Sequence, residues 1–142
     1  MSRVESSITI GAPPEAIQAA LENVETAHEW ASSLQKVWDV QGRGAGCTYQ
    51  WTFKLGPASF NGSTEITESN PERFVMQTTG GIPSTWTWQM APTGHGTELK
   101  VAIDYTVPGS ALGALADKLV VEKQNRKELE SSLATLKAKL EK

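Results

Sequence analysis

The last third of the chain constrains its fold more than any other part. Leu112, Leu115, Leu119, Arg126, Leu129, Leu133, Leu136 and Leu140 recur at three-, four- and seven-residue steps, which places them on one stripe of a helix. The pattern predicts a single long amphipathic helix from Ser110 onward, after a break at Val107-Pro108-Gly109. About 30 helical residues at 1.5 Å each would span roughly 45 Å, longer than a typical strand. Either the last turns overhang, or Gly113 breaks off a first turn. A leucine stripe of this length needs an apolar surface to cover, and the residues before it read as the sheet that supplies one.

Val4, Ser6, Ile8 and Ile10 alternate with Glu5, Ser7 and Thr9, which predicts a first strand with one half-buried face. Pro13-Pro14-Glu15 then opens a helix, because proline suits the first turn and a carboxylate suits the positive end of the helix dipole. Ile17, Ala20 and Leu21 give this helix its apolar side, and it should end near Asn23. Thr26-Ala27-His28-Glu29 has the spacing of a capping box, which predicts a second short helix carrying Trp30, Ala31 and Leu34. From Lys36 the period changes to two. Strands are expected over Lys36–Gln41, Cys47–Leu55, Ser59–Thr67, Arg73–Thr79, Ser84–Met90 and Thr97–Val107. Turn residues separate them at Gly42–Gly46, Gly56-Pro57, Asn70-Pro71, Gly80-Gly81 and Gly94–Gly96. Connections this short predict an antiparallel meander whose last strand can pair with the first. Gly62, inside a strand, predicts a bulge or sharp bend.

The 142 residues suit one domain over 1–142, with no repeat, linker or low-complexity segment. A net charge of -3 with mixed signs and no basic block argues against nucleic acid or an anionic membrane surface as partner. No apolar run approaches the length that spans a bilayer, and the N-terminal residues lack the pattern of a secretory signal. The lone Cys47 excludes an internal disulfide and leaves a zinc-finger type of metal site without ligands. These features predict a cytoplasmic protein with no metal, no cofactor and no integral membrane association; they do not fix its oligomeric state.

The motifs, taken in order, resemble the polyketide cyclase/dehydrase family of the START-like (SRPBCC) superfamily. They are Ile10-Gly11-Ala12-Pro13-Pro14-Glu15-Ala16, Glu29-Trp30, the glycine-rich Gly42–Gly46 hairpin and Glu68-Ser69-Asn70-Pro71-Glu72-Arg73-Phe74. Thr85-Trp86-Thr87-Trp88, Gly94-His95-Gly96-Thr97-Glu98-Leu99 and Asp117-Lys118-Leu119 complete the set. The resemblance implies an α+β helix-grip fold: a seven-stranded curved antiparallel sheet, two short helices and one long C-terminal helix. It also implies a cavity between sheet and helix for apolar or amphipathic small molecules. Some members are cyclases, aromatases or dehydratases and others carry or sense ligands. The family offers no universal catalytic motif to transfer.

Alternation alone selects the inward residues. Cys47, Tyr49, Trp51, Phe53 and Leu55 share one face, as do Phe60, Gly62, Thr64 and Ile66. Ser84, Trp86, Trp88 and Met90 form a third set, and Leu99, Val101, Ile103, Tyr105 and Val107 a fourth. The faces of the strand around Val37–Val40 stay unassigned. Expected cavity-lining residues are Trp30, Tyr49, Trp51, Phe53, Phe60, Trp86, Trp88, Ile103, Tyr105, Leu119 and Arg126. Each ring serves equally well as ordinary core filling. Tyr49, Tyr105 and Trp30 add polar handles. Glu122 and Arg126 interrupt the leucine stripe at i,i+4 spacing, either facing inward as a ligand-binding pair or outward as a solvated one.

Groups suited to catalysis are few. His95 lies at a glycine-flanked hairpin tip, His28 reads as an exposed helix residue, and Cys47 as a small buried hydrophobe. Asp39 and Asp104 read as outward strand charges, and Gly42–Gly46 precedes a strand rather than the helix a phosphate cradle needs. The reading that follows is a binding protein for a lipid or polyketide-like small molecule. Its alternatives are a cyclase, aromatase or dehydratase using Tyr49, Tyr105 or Arg126 to polarise a carbonyl, and a protein-interaction module.

Overall fold

The computed structural model describes residues 2–31, 34–55, 58–80, 82–106 and 118–141. In chain order they form β1 (Ser2–Ile10), α1 (Pro14–Glu22), a 3-10 helix (Val24–Glu29), β2 (Leu34–Gln41) and β3 (Thr48–Leu55). β4 (Ala58–Ser69), β5 (Arg73–Thr79), β6 (Ser84–Thr93), β7 (Gly96–Tyr105) and the C-terminal helix α2 (Lys118–Leu140) follow. All seven strands join one antiparallel sheet in the order β1-β7-β6-β5-β4-β3-β2. The first strand pairs with the last, Val4 opposite Ile103 and Ile8 opposite Leu99. The sheet, the short helices and the long C-terminal helix together make the expected helix-grip architecture.

Helix α1 begins at Pro14, buries Ile17 and Leu21, and closes where the Asn23 N–H donates to the Ala19 carbonyl. The second helix departs from expectation. It is a 3-10 helix that starts at Val24, so Thr26 lies inside it instead of capping it; the Thr26 hydroxyl donates to the Asn23 carbonyl at 3.1 Å. Glu29, the expected capping partner, is drawn away to Lys139 on α2 at 2.8 Å. Trp30 therefore follows the helix as its cap, and Leu34 opens β2.

Gly62 is also corrected. Its pairing with Trp51 is regular, and the shift in register between β4 and β5 falls later, between Ile66 and Glu68. The glycine is needed for space: a Cβ there would lie 2.6 Å from the Trp51 ring and would collide with the Thr79 carbonyl oxygen. The bend expected at Gly62 is in fact a seat for an indole.

Helix α2 lies chiefly along β1 and also reaches β3. Its buried side chains are Leu129, Leu133 and Leu136, with Leu140 half-buried. Leu112 and Leu115 fall outside the described residues, as does the Leu119 side chain. Polar contacts fasten the end of the helix. Lys137 Nζ donates to the Thr9 carbonyl at 2.9 Å, and the Gly11 N–H donates to Glu141 at 2.7 Å. The Lys139 hydrogen bond holds the Glu29 carboxyl below the ordinary glutamate value of 4.5, and the Lys137 hydrogen bond followed by the Gly11 N–H does the same for Glu141.

Both glutamates bind protons more weakly folded than unfolded, which fixes the sign of their pH effect. Their contribution is complete above pH 4.5 and is lost as pH falls through the lower folded-state values. The contacts are exposed, so the effect is modest and weakens with salt. Thermal melts between about pH 6 and pH 3 should show a loss of stability that Glu29→Gln and Glu141→Gln together reduce. Among the described residues no helix is long and apolar enough to cross a membrane.

Candidate functional site

Between the sheet and α2 lies a cavity of about 160 Å³. Its floor is built by the alternation of β3 to β7, which turns Tyr49, Trp51, Phe53, Thr64, Met76 and Thr78 to one side. Ser84, Trp86, Trp88, Ile103 and Tyr105 continue that floor across β6 and β7. Leu21, Val24, Ala27, Trp30, Ala31 and Leu34 form the wall from α1 to the start of β2, and Ile82 comes from the β5–β6 turn. Asn125, Glu128, Leu129 and Ser132 close it from α2.

The rings brace one another. Trp30 stands edge-on to Trp88, with centroids 5.8 Å apart and planes at 89°. Trp86 and Trp88 stack at 6.0 Å, and Trp51 leans on Phe53 at 5.0 Å. Two of the indoles are tied by hydrogen bonds: Trp51 Nε1 donates to the Thr64 hydroxyl at 2.7 Å, and Trp86 Nε1 to the Ser84 hydroxyl at 3.0 Å. The Thr78 and Ser84 hydroxyls are 2.6 Å apart. Trp30 Nε1 and Trp88 Nε1 are buried without an acceptor among the described residues. Burial pushes the Tyr49 phenol up to about 12, with the neighbouring Thr64 hydroxyl opposing the rise. No group of three His, Cys, Asp or Glu that could hold a metal ion occurs among the described residues.

The sequence profile described as polyketide cyclase/dehydrase and lipid transport matches residues 1–141. The chain belongs to that family. No curated protein matches it in sequence. Among solved structures, a Thermus thermophilus protein is similar at a TM-score of 0.80 and 21% identity, over 98% of this chain and 97% of the other. A START superfamily protein from Mycobacterium smegmatis has a TM-score of 0.80 at 17% identity, over 98% and 97% of the two chains. The Zhui aromatase/cyclase from a Streptomyces species has a TM-score of 0.78 at 13% identity, over 99% and 93%. At these identities the likeness establishes the fold.

Of the residues expected to line a cavity in this family member, Trp30, Tyr49, Trp51, Phe53, Trp86, Trp88, Ile103 and Tyr105 stand in its wall. Phe60 does not. It is half-buried and stacks on its strand partner Phe53 at 5.5 Å, so Phe53 forms the boundary and Phe60 lies behind it. Arg126 is exposed, with Nη1 3.4 Å from the Glu5 carbonyl oxygen of β1. It lies seven residues before Leu133 and so shares that residue's side of the helix, which faces β1 rather than the cavity. The Leu119 side chain lies outside the described residues.

What the leucine stripe hid is the polar contribution of α2. Asn125, Glu128, Leu129 and Ser132 follow the same three- and four-residue spacing as the leucines, rotated toward the chamber. That spacing was available in the sequence, but three of the four residues are polar and so read as solvent-facing. His28 and His95 are exposed, and Cys47 is buried, its thiol pushed up first by burial and then by the Glu22 charge. Trp38 is the large hydrophobic residue exposed among those described, at 40%, and the Lys36 ammonium sits 4.7 Å from its ring. A lone indole so covered offers no apolar patch of the size that marks a protein-docking surface.

Proposed function

We propose that this chain is a ligand-binding domain, spanning 1–142, that holds an apolar or amphipathic small molecule between its sheet and α2. A lipid fragment or polyketide-like aromatic fits this description, and the free, buried Cys47 accords with a cytoplasmic setting. The observation that carries the proposal is the 160 Å³ cavity walled by four indoles and two phenols. An apolar cavity of about 150 Å³ is enough to take up benzene, so this one suits a ligand part of one or two rings. Phe60 and Arg126 drop out of the proposed binding set, and Met76, Thr78, Asn125 and Glu128 enter it.

Naphthalene is a direct probe, because Trp30, Trp51, Trp86 and Trp88 all report on the chamber. At about 0.6 kcal/mol for each of its carbons, its dissociation constant should fall on the order of 10–100 μM. Saturable quenching of tryptophan emission in that range is expected. Unchanged emission up to the solubility limit would falsify the proposal.

One observation favours a second reading, chemistry on a bound polyketide-like chain. The wall holds both a carboxylate, Glu128, and a phenol that keeps its proton, Tyr49. Under that reading Glu128→Gln would abolish turnover of a poly-β-keto thioester while naphthalene binding persists.

A further inference from the structure

We propose that Tyr105, Ser84 and Thr78 form a subsite for a ligand hydroxyl at one end of the chamber floor, and that the chamber selects a hydroxylated ring, a phenol or cyclic alcohol. This rests on the reading of the cavity as a ligand chamber and adds to it a subsite and a chemical class.

The argument begins with strand register. Tyr49 pairs with Thr64, Thr64 with Thr78, Thr78 with Ser84, and Ser84 with Tyr105. Directly paired residues share a face, so these five, one from each of β3 to β7, make a row of hydroxyls across a floor that is otherwise mostly apolar. The two ends of the row differ in where their protons go. At the β3 end, Trp51 Nε1–H donates to Thr64 Oγ1 at 2.7 Å, and Thr64 in turn hydrogen-bonds the Tyr49 phenol. The Tyr49 hydroxyl turns to the Met76 thioether at 3.7 Å. Each polar group at that end has a partner.

The β7 end is open. Trp86 Nε1–H donates to Ser84 Oγ at 3.0 Å, the Ser84 and Thr78 hydroxyls are 2.6 Å apart, and Thr78 Oγ1 lies 3.3 Å from the Ser84 carbonyl oxygen. With the indole proton on Ser84, one ordering uses every hydroxyl proton: Ser84 donates to Thr78, and Thr78 donates to the carbonyl. Both side-chain oxygens then keep a lone pair and have no proton to offer. Tyr105, the next residue in the row, lines the chamber and is 3% exposed, and its hydroxyl has no hydrogen-bond partner among the described residues. A buried hydroxyl left unpaired costs free energy that a ligand oxygen can recover. A phenol or alcohol suits both features, because it donates to Ser84 or Thr78 and its oxygen can accept from Tyr105. An ether or ketone can only accept, and a hydrocarbon can do neither.

Calorimetry with naphthalene, 1-naphthol, 2-naphthol and 2-methoxynaphthalene tests this. The wild-type protein should bind the better naphthol about tenfold tighter than naphthalene, and the ether no more than about threefold tighter. In Tyr105→Phe and in Ser84→Ala the naphthol-to-naphthalene ratio should fall below about threefold. Naphthalene carries no hydroxyl, so each variant is its own control. Tyr105→Phe should also melt within about 2 °C of wild type or above it, because a hydroxyl without a partner leaves no bond to lose. A Tyr105→Phe that fails to fold, or melts more than about 5 °C lower, would assign the hydroxyl to the fold and overturn the inference. Equal wild-type affinity for the naphthols and naphthalene overturns it too and leaves the chamber reading standing. Failure of all four probes to bind overturns both. An ether as tight as the better naphthol overturns the part given to Ser84 and Thr78, and a ratio kept in either variant overturns the assignment of that residue. Should Ser84→Ala fail to fold, Thr78→Val takes its place with the same two outcomes.

Discussion

Leu136→Ala is expected to remove about 2–5 kcal/mol of folding free energy, the range for emptying a packed leucine site. Leu136 is 0% exposed and Leu133 only 1%, on the face of α2 that meets the sheet. The loss has two parts, the transfer of the missing carbons from water and the void that rigid neighbours fail to close. Collapse is hard here because α2 is held on both sides of the site. Upstream Leu129 is packed, and downstream Lys137, Lys139 and Glu141 tie the helix to Thr9, Glu29 and Gly11. Against a total stability of about 5–15 kcal/mol, the variant should melt roughly 6–20 °C lower. Leu140→Ala, at a half-buried position, is the internal control and should cost about 1 kcal/mol. Leu136 lines no part of the chamber, so the folded fraction of Leu136→Ala should bind naphthalene as the wild type does. Chemical denaturation of the pair checks the claim, and equal losses at Leu136 and Leu140 would contradict the packing described here.

The sheet was legible because its signal is redundant. Strand alternation, short turns rich in glycine, and a leucine stripe looking for a cover all require the same arrangement, and a one-residue error in any strand would turn its rings to solvent. The errors came where a local motif competed with a distant partner. Thr26 and Glu29 have capping-box spacing, but Glu29 meets Lys139, 110 residues away, and the short helix winds as 3-10 from Val24 instead. Gly62 has the look of a bulge because its other cause, the Trp51 ring and the Thr79 carbonyl crowding its Cβ position, lies on two other strands. No local pattern encodes such a contact.

The site divides in the same way. Its floor follows from period-two alternation, which is why seven of the expected rings and aliphatics stand in it. Its roof does not. A helix that covers a cavity has two inward directions, one onto the sheet and one over the empty space, and only the first must be apolar. Arg126 was assigned to the second by following the leucines, yet it lies above β1, while Asn125, Glu128 and Ser132 face the chamber.

That geometry gives the largest effect expected on binding. Ala31→Trp should weaken naphthalene at least about hundredfold while leaving the fold in place. Ala31 lines the cavity from the segment after the 3-10 helix and is half-buried, so a larger side chain there grows into open space instead of displacing packed atoms. An indole occupies most of a 160 Å³ chamber and sits among rings that favour edge and stacked contacts with it, so ligand would have to expel it. A hundredfold loss corresponds to about 2.7 kcal/mol, comparable to the burial of one large apolar side chain. The melting temperature should stay within a few degrees of wild type, or rise, because filling a void restores contacts the cavity lining lacks. A variant that is equally stable and still quenched by naphthalene at the wild-type concentration would place the ligand elsewhere. A second recess among the described residues, the polar one around Arg3, Glu5, Ser7, Gln89 and Lys100, has charges that give a hydrocarbon nothing to bind.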